Sequence, residues 1–208
     1  MKVLLSAACC LSFFFSSGQV LSVTGFGGYT FRERADFSNA YGYINAGGHW
    51  GASVEGINRT GQGIELLYQR QGTHTPMYYY NSPNTQINEN GDQTAISYFM
   101  LNAVNYFLRS DIQPYAGAGM GVALIDNNAY GSATKFSWDV KLGVRLKASP
   151  KISFKLQAQL YSIVQAEGGD FYGPSATNGI SVNSTGNTYQ LGLSGGVCVN
   201  FEKKHPPL

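Results

Sequence analysis

Residues 134–147 read Thr134-Lys135-Phe136-Ser137-Trp138-Asp139-Val140-Lys141-Leu142-Gly143-Val144-Arg145-Leu146-Lys147. Phe136, Trp138, Val140, Leu142, Val144 and Leu146 share one parity. Lys135, Ser137, Asp139, Lys141, Gly143, Arg145 and Lys147 share the other. Successive side chains on a β-strand point to opposite faces, so this segment has one apolar side and one polar side. The run also exceeds the about five or six residues usual for a globular strand. Which side points outward decides between a soluble and a membrane protein.

Neighbouring segments repeat the pattern. Ile152, Phe154, Leu156, Ala158 and Leu160 alternate with Ser153, Lys155, Gln157, Gln159 and Tyr161. Tyr189, Leu191, Leu193, Val197, Val199 and Phe201 stand against Gln190, Gly192, Ser194, Gly196 and Asn200. Residues 113–125 set Ala116, Ala118, Met120, Val122 and Leu124 against Tyr115, Gly117, Gly119 and Gly121, and residues 62–72 set Ile64, Leu66 and Tyr68 against Glu65, Leu67, Gln69 and Gln71. Residues 48–57 are weaker, with Trp50, Ala52 and Val54 opposite Gly51, Ser53 and Glu55. Residues 23–33 have strand composition without clear parity. Residues 94–108 are apolar on both sides, so their faces stay unassigned; a bulge would account for this. The connections alternate between short (58–61, 109–112, 148–151) and longer ones (34–40, 73–92, 126–133, 167–187). An all-β, eight-stranded, antiparallel up-and-down barrel follows, with short turns toward the periplasm and longer loops outside.

Alternation alone also fits a soluble barrel with its apolar face inward. Three features favour the membrane. The polar parity is largely Gly, Ser, Gln and Asn, which suits a narrow lumen where small residues make room for long ones better than it suits a solvated surface. The segments exceed the roughly 9–11 residues that cross a bilayer as tilted strands. Phe136, Trp138, Tyr189 and Phe201 lie near strand ends on the apolar parity, where aromatic girdles belong. Composition agrees: charged residues make up 12% of the 208 residues, against roughly 25% in soluble domains.

Residues 1–22 read as a secretory signal peptide, with Lys2 followed by the apolar run 3–15 and small residues at 16–18. The run is too short for a transmembrane helix, which needs about 20 residues. The expected organisation is a signal peptide over 1–22, a barrel over 23–201 and a short periplasmic tail over 202–208. Loss of Lys2 lowers a formal charge of only +2, so no basic field attracts nucleic acid. Cleavage of the signal peptide also removes Cys9 and Cys10 and leaves Cys198 as the single cysteine, which excludes an intramolecular disulfide, and no Cys/His cluster has metal-ligand spacing. No cofactor or metal site is expected.

The last strand, Ser194-Gly195-Gly196-Val197-Cys198-Val199-Asn200-Phe201, resembles the C-terminal targeting strand of bacterial outer-membrane barrels at Ser194, Gly196, Val199 and Phe201; the tail after Phe201 departs from it. That resemblance implies the barrel-assembly machinery as a partner. The runs Phe26-Gly27-Gly28-Tyr29-Thr30-Phe31, Trp50-Gly51-Ala52-Ser53 and Pro114-Tyr115-Ala116-Gly117-Ala118-Gly119 resemble the small outer-membrane β-barrel families, OmpA/OmpX- or OmpW-like in size and of the type common in Bacteroidetes. The resemblance implies a Sec-exported protein of the bacterial outer membrane, in contact with membrane lipid and lipopolysaccharide.

Inward charges must pair, because an isolated buried charge is costly. Glu55, Glu65 and Asp139 are expected to meet Lys141, Arg145 and Lys155 in a lumen network, with Glu55, Glu65, Arg145 and Lys155 in its periplasmic half. Phe136, Trp138, Val140, Leu142, Val144 and Leu146 are the expected lipid-facing stripe. Tyr78, Tyr79 and Tyr80 in the second outer loop are the candidate contact for an extracellular ligand, since Tyr offers a rigid amphipathic surface; packing over the barrel mouth is the alternative. Arg70, on the outward parity, is placed to meet a lipopolysaccharide phosphate. Asn58-Arg59-Thr60 and Asn183-Ser184-Thr185 match the glycosylation pattern only by accident. Catalysis is not expected: His49 and Ser53 share a face with Glu55, but positions four apart on a strand are roughly 13 Å apart, too far for a nucleophile–base hydrogen bond. The sequence thus points to a non-enzymatic envelope protein that anchors its loops, with a narrow channel for small solutes as the alternative and a lipid-modifying enzyme behind it.

Overall fold

The computed structural model describes residues 20–36, 40–79, 81–86, 93–108, 110–127, 131–164 and 187–202. Among these, the strands are β1 (Val20–Thr30), β2 (Glu33–Asp36), β3 (Ala40–Ile44), β4 (Gly47–Ile57), β5 (Gln62–His74), β6 (Met77–Tyr79), β7 (Ser82–Gln86), β8 (Gln93–Tyr106), β9 (Ile112–Asn127), β10 (Gly131–Lys147), β11 (Ile152–Val164) and β12 (Asn187–Glu202). Eight of them close into a barrel in the order β1-β12-β11-β10-β9-β8-β5-β4, every pairing antiparallel. The 17 residues of β10 and the 11 of β1 and β4 are all long enough to cross a bilayer. No helix of the described residues is long and apolar enough to do so.

The apolar parity points outward. In β10, Leu142 is 66% exposed and Phe136 51%, whereas Lys141 and Arg145 on the other parity are buried. Val144, Leu146 and Trp138 on the same parity are half-buried. Every barrel strand adds to this belt, from Val54 on β4 and Leu66 on β5 through Leu101 on β8 and Met120 on β9 to Leu156 on β11 and Leu193 on β12. So large a continuous apolar surface is foreign to a water-soluble monomer and normal against lipid. Aromatic groups lie in the belt: Trp138 meets Tyr189 edge to face at 6.0 Å, Tyr29 meets Phe31 in the same way at 5.8 Å, and Tyr68 sits between Trp50 at 5.9 Å and Phe99 at 4.9 Å.

The unassigned segment, β8, has unbroken register on both sides, from Gln62↔Asn105 to His74↔Gln93 and from Thr94↔Asn127 to Tyr106↔Tyr115. There is no bulge in it. Ile96, Tyr98 and Met100 point inward while Phe99 and Leu101 point outward. Both faces are apolar because this half of the lumen is an apolar core, formed with Leu67, Ala123, Ile125, Tyr161 and Ile163. β1 lacks parity for the opposite reason: Gly25 and Gly27 occupy outward positions and Phe26 an inward one. It also starts at Val20, ahead of the expected boundary, and Ser22 already donates to Asn200 Oδ1 at 2.9 Å inside the barrel.

The first two long connections are not simple loops. β2, β3, β6 and β7 form a second sheet in that order, with β3 joined to β6 at Ala40↔Tyr79 and Gly42↔Met77. Ile44 and Met77, at the foot of this sheet, belong to the apolar cluster of the lumen. The sheet therefore caps the long-loop end of the barrel. At the other end the turns are tight. Asn58 Oδ1 accepts from the Thr60 and Gln62 N–H groups, both at 2.9 Å, and Gly61 adopts φ +89°, a conformation that favours glycine. Asn58-Arg59-Thr60 is thus a turn device.

Candidate functional site

Glu55 on β4 and Glu65 on β5 are directly opposed, as are Arg145 on β10 and Lys155 on β11. In the ring of eight, β10 and β11 lie diametrically across from β4 and β5. Like charges side by side repel, and the narrow lumen lets Lys155 answer both acids. Lys155 Nζ lies 2.6 Å from Glu55 Oε2 and 3.7 Å from Glu65 Oε1. Lys141 Nζ bonds Glu65 Oε2 and lies 4.0 Å from Asp139 Oδ2. These side chains are at most 5% exposed.

Neutral donors complete the acids. The Tyr106 hydroxyl donates to Glu55 at 2.9 Å, Asn102 Nδ2 to Glu65 at 3.2 Å, and Gln159 Nε2 to Asp139. Above them, toward the long loops, Tyr161 donates to Gln69 at 2.5 Å and Gln71 to Gln190 at 2.8 Å. Glycines provide the room. A Cβ on Gly143 would sit 2.5 Å from the Tyr115 ring, and one on Gly119 only 1.7 Å from Asn102 Oδ1. A cavity beside Glu65 and Lys155 measures about 10 Å³, room for about one water.

Arg145 departs from the expected pairing. It meets no acid among the described residues: Nη2 donates to Asn200 Oδ1 and reaches Ser22 Oγ at 3.4 Å, while Nε has no acceptor. The sequence pattern places Arg145 inside but does not reveal that Lys155 takes both nearby glutamates. His49, also inside and 5% exposed, has neither ring nitrogen hydrogen-bonded; it packs against Phe26 at 6.4 Å and makes no bond to Ser53. Cys198 is buried and unpaired, its Sγ 3.3 Å from Asn200 Oδ1.

The outer cap carries a second cluster. Arg32 lies over the Tyr43 ring at 3.7 Å and Arg34 over Tyr41 at 4.6 Å. Tyr41 stacks on Tyr78 at 5.5 Å, and Tyr78 meets Tyr43 edge to face at 6.4 Å. Tyr78 is therefore partly a packing residue that ties the two loops together. The Tyr79 backbone pairs in the cap sheet, and Tyr80 lies outside the described residues. Arg32, Arg34, Tyr41 and Tyr43 were missed in the sequence, although Arg32-Glu33-Arg34 and Tyr41-Gly42-Tyr43 both alternate with period two, the mark of two paired strands sharing a face.

Of the remaining residues, Val199 and Phe201 face outward, 41% and 54% exposed. Ser194 and Gly196 lie on the inner parity, with Gly196 paired to both Phe26 and Lys155. Arg70 is exposed on the outer face and its Nη1 donates to Ser97 Oγ at 3.2 Å.

A family model described as "Surface antigen" matches residues 7–190. No curated protein matches the chain. Among solved structures, Neisserial surface protein A (NspA) shares 18% identity at a TM-score of 0.55, over 89% of this chain and 98% of NspA. The outer membrane protein OprG from Pseudomonas aeruginosa shares 13% at a TM-score of 0.54, over 88% of this chain and 96% of OprG. At these identities the likeness is one of fold, that of a small outer-membrane barrel.

Proposed function

The chain belongs to the surface antigen family, and from that premise we propose that it is a non-enzymatic protein of the bacterial outer membrane, whose barrel anchors a contact surface built on its outer loops. One observation carries this reading: the lumen is filled at two levels. Ile44 and Met77 continue an apolar cluster down to Tyr161, and below it Glu55, Glu65, Lys141 and Lys155 cross the lumen. With the interior occupied, the surfaces left for work are the two ends. The Arg–Tyr cluster on the cap sheet presents exposed guanidinium groups on rigid aromatic rings, a chemistry suited to recognition. Arg70, exposed on the outer wall and steadied by its bond to Ser97, fits a lipid headgroup phosphate.

Planar-bilayer recording of the purified protein tests the reading. The expected result is an absence of stable single-channel steps. Reproducible steps that persist at low voltage would instead support a channel for small solutes, with the Glu55–Lys155 contact as its constriction.

A further inference from the structure

Arg145 is buried to 4% exposure without a carboxylate partner among the described residues. Glu55 and Glu65, the acids of its layer, are held by Lys155, Tyr106 and Lys141. A guanidinium taken out of water without a counter-ion is costly, and here it meets the neutral oxygens of Asn200 and Ser22 and, at 5.7 Å, the Tyr106 ring, with Nε unbonded. The same side chain forms the inner end of a cavity of about 230 Å³ at the short-turn mouth of the barrel. Lys147 lines that cavity too, with Arg59 and the amides of Asn58, Gln113 and Asn200, and among the described side chains no Asp or Glu does. The nearby Asp111 engages Lys147 through its backbone, its carbonyl accepting the Lys147 N–H at 2.8 Å.

We propose that this mouth is an oxyanion site, in which a small carboxylate or phosphate supplies the missing counter-ion of Arg145. The guanidinium fork matches either group. The cavity is below the roughly 300 Å³ of a pocket for drug-sized ligands, which selects an anion of a few heavy atoms or the end of a longer chain. Arg145 binds at the floor, and Lys147 draws the anion in at the rim. The site stands on the barrel geometry alone; only its access from the periplasm rests on the orientation proposed above.

The test uses the purified protein folded in non-ionic detergent. Its thermal unfolding midpoint is followed as sodium phosphate, or N-acetyl-alanine as a peptide-type carboxylate, replaces chloride at constant ionic strength. A saturable rise with one or both anions is expected, and which anion acts separates a phosphate source from a peptide source. Arg145→Gln should abolish the rise. Should that variant not fold, Lys147→Gln at the exposed rim decides, with half-saturation roughly three-fold weaker. Arg32→Gln, at the opposite end, should respond like the parent. No difference from chloride, or the same response in Lys147→Gln as in Arg32→Gln, overturns the proposal while leaving the bilayer test of the anchor reading untouched.

Discussion

Glu55 and Glu65 stand directly opposite each other across the β4–β5 ladder, both turned into the lumen and both buried. Two adjacent carboxylates at such positions are unfavourable alone. They are tolerated because the lumen is about two side chains wide, so Lys155 on the far wall reaches both. The ionic layer is therefore a brace across the barrel.

Removing the brace should be severe. Lys155→Met leaves Glu55 without a cation and is expected to lower stability by about 3–5 kcal/mol, the scale for breaking a buried ion pair. Adding Glu55→Gln should restore part of that loss, since Glu65 keeps Lys141. Urea unfolding in lipid vesicles, read by heat-modifiable gel migration, measures both. An additive double variant would mean that the two groups are not coupled.

Space in the lumen is as specific as charge. Gly143→Ala places a methyl against the Tyr115 ring and the Leu156 carbonyl and should cost about 1–3 kcal/mol. It should also disturb the 2.8 Å bond from Tyr115 to Gln157. Gly27→Ala, whose methyl would meet only the His49 carbonyl at 3.7 Å, is expected to be close to neutral. The same unfolding measurement compares them.

Depth along the outer stripe gives a further prediction. Leu142→Arg, well inside β10, should cost about 2–4 kcal/mol in vesicles, and Leu146→Arg near the strand end about 0–1 kcal/mol. Equal costs, or the reverse order, would mean that the stripe does not lie across a bilayer.

The cap sheet should uncouple from the barrel. Tyr78→Ala removes the ring that stacks on Tyr41 and meets Tyr43, contacts of about 0.5–1.5 kcal/mol each. Limited proteolysis within the first two outer loops should accelerate, while the gel shift of the folded barrel persists.

The parts legible in the sequence are those where the two faces differ in polarity. β10, β11 and β12 carry Lys, Gln and Ser inward against Leu, Val and Phe outward, and their alternation reads directly. β8 hides its faces because Ile96, Tyr98 and Met100 fill an apolar lumen, and β1 hides them because glycines sit outside. The cap sheet joins strands from two separate loops, a pairing that no local pattern encodes. Ring closure brings Ser22 to Asn200, 178 residues away, so the neutral setting of Arg145 becomes visible only once β1 meets β12.

The outward apolar face is the central claim, and the two tryptophans of the chain test it without mutation. Trp50 is 59% exposed on the outer wall, and Trp138 lies half-buried on the same outward side beside Tyr189. The measurement is the intrinsic fluorescence of the folded protein in vesicles whose acyl chains carry bromine. Strong quenching by the brominated chains, with little quenching by aqueous iodide, is predicted. Emission that iodide quenches and bromine does not would place these rings in water and contradict the account.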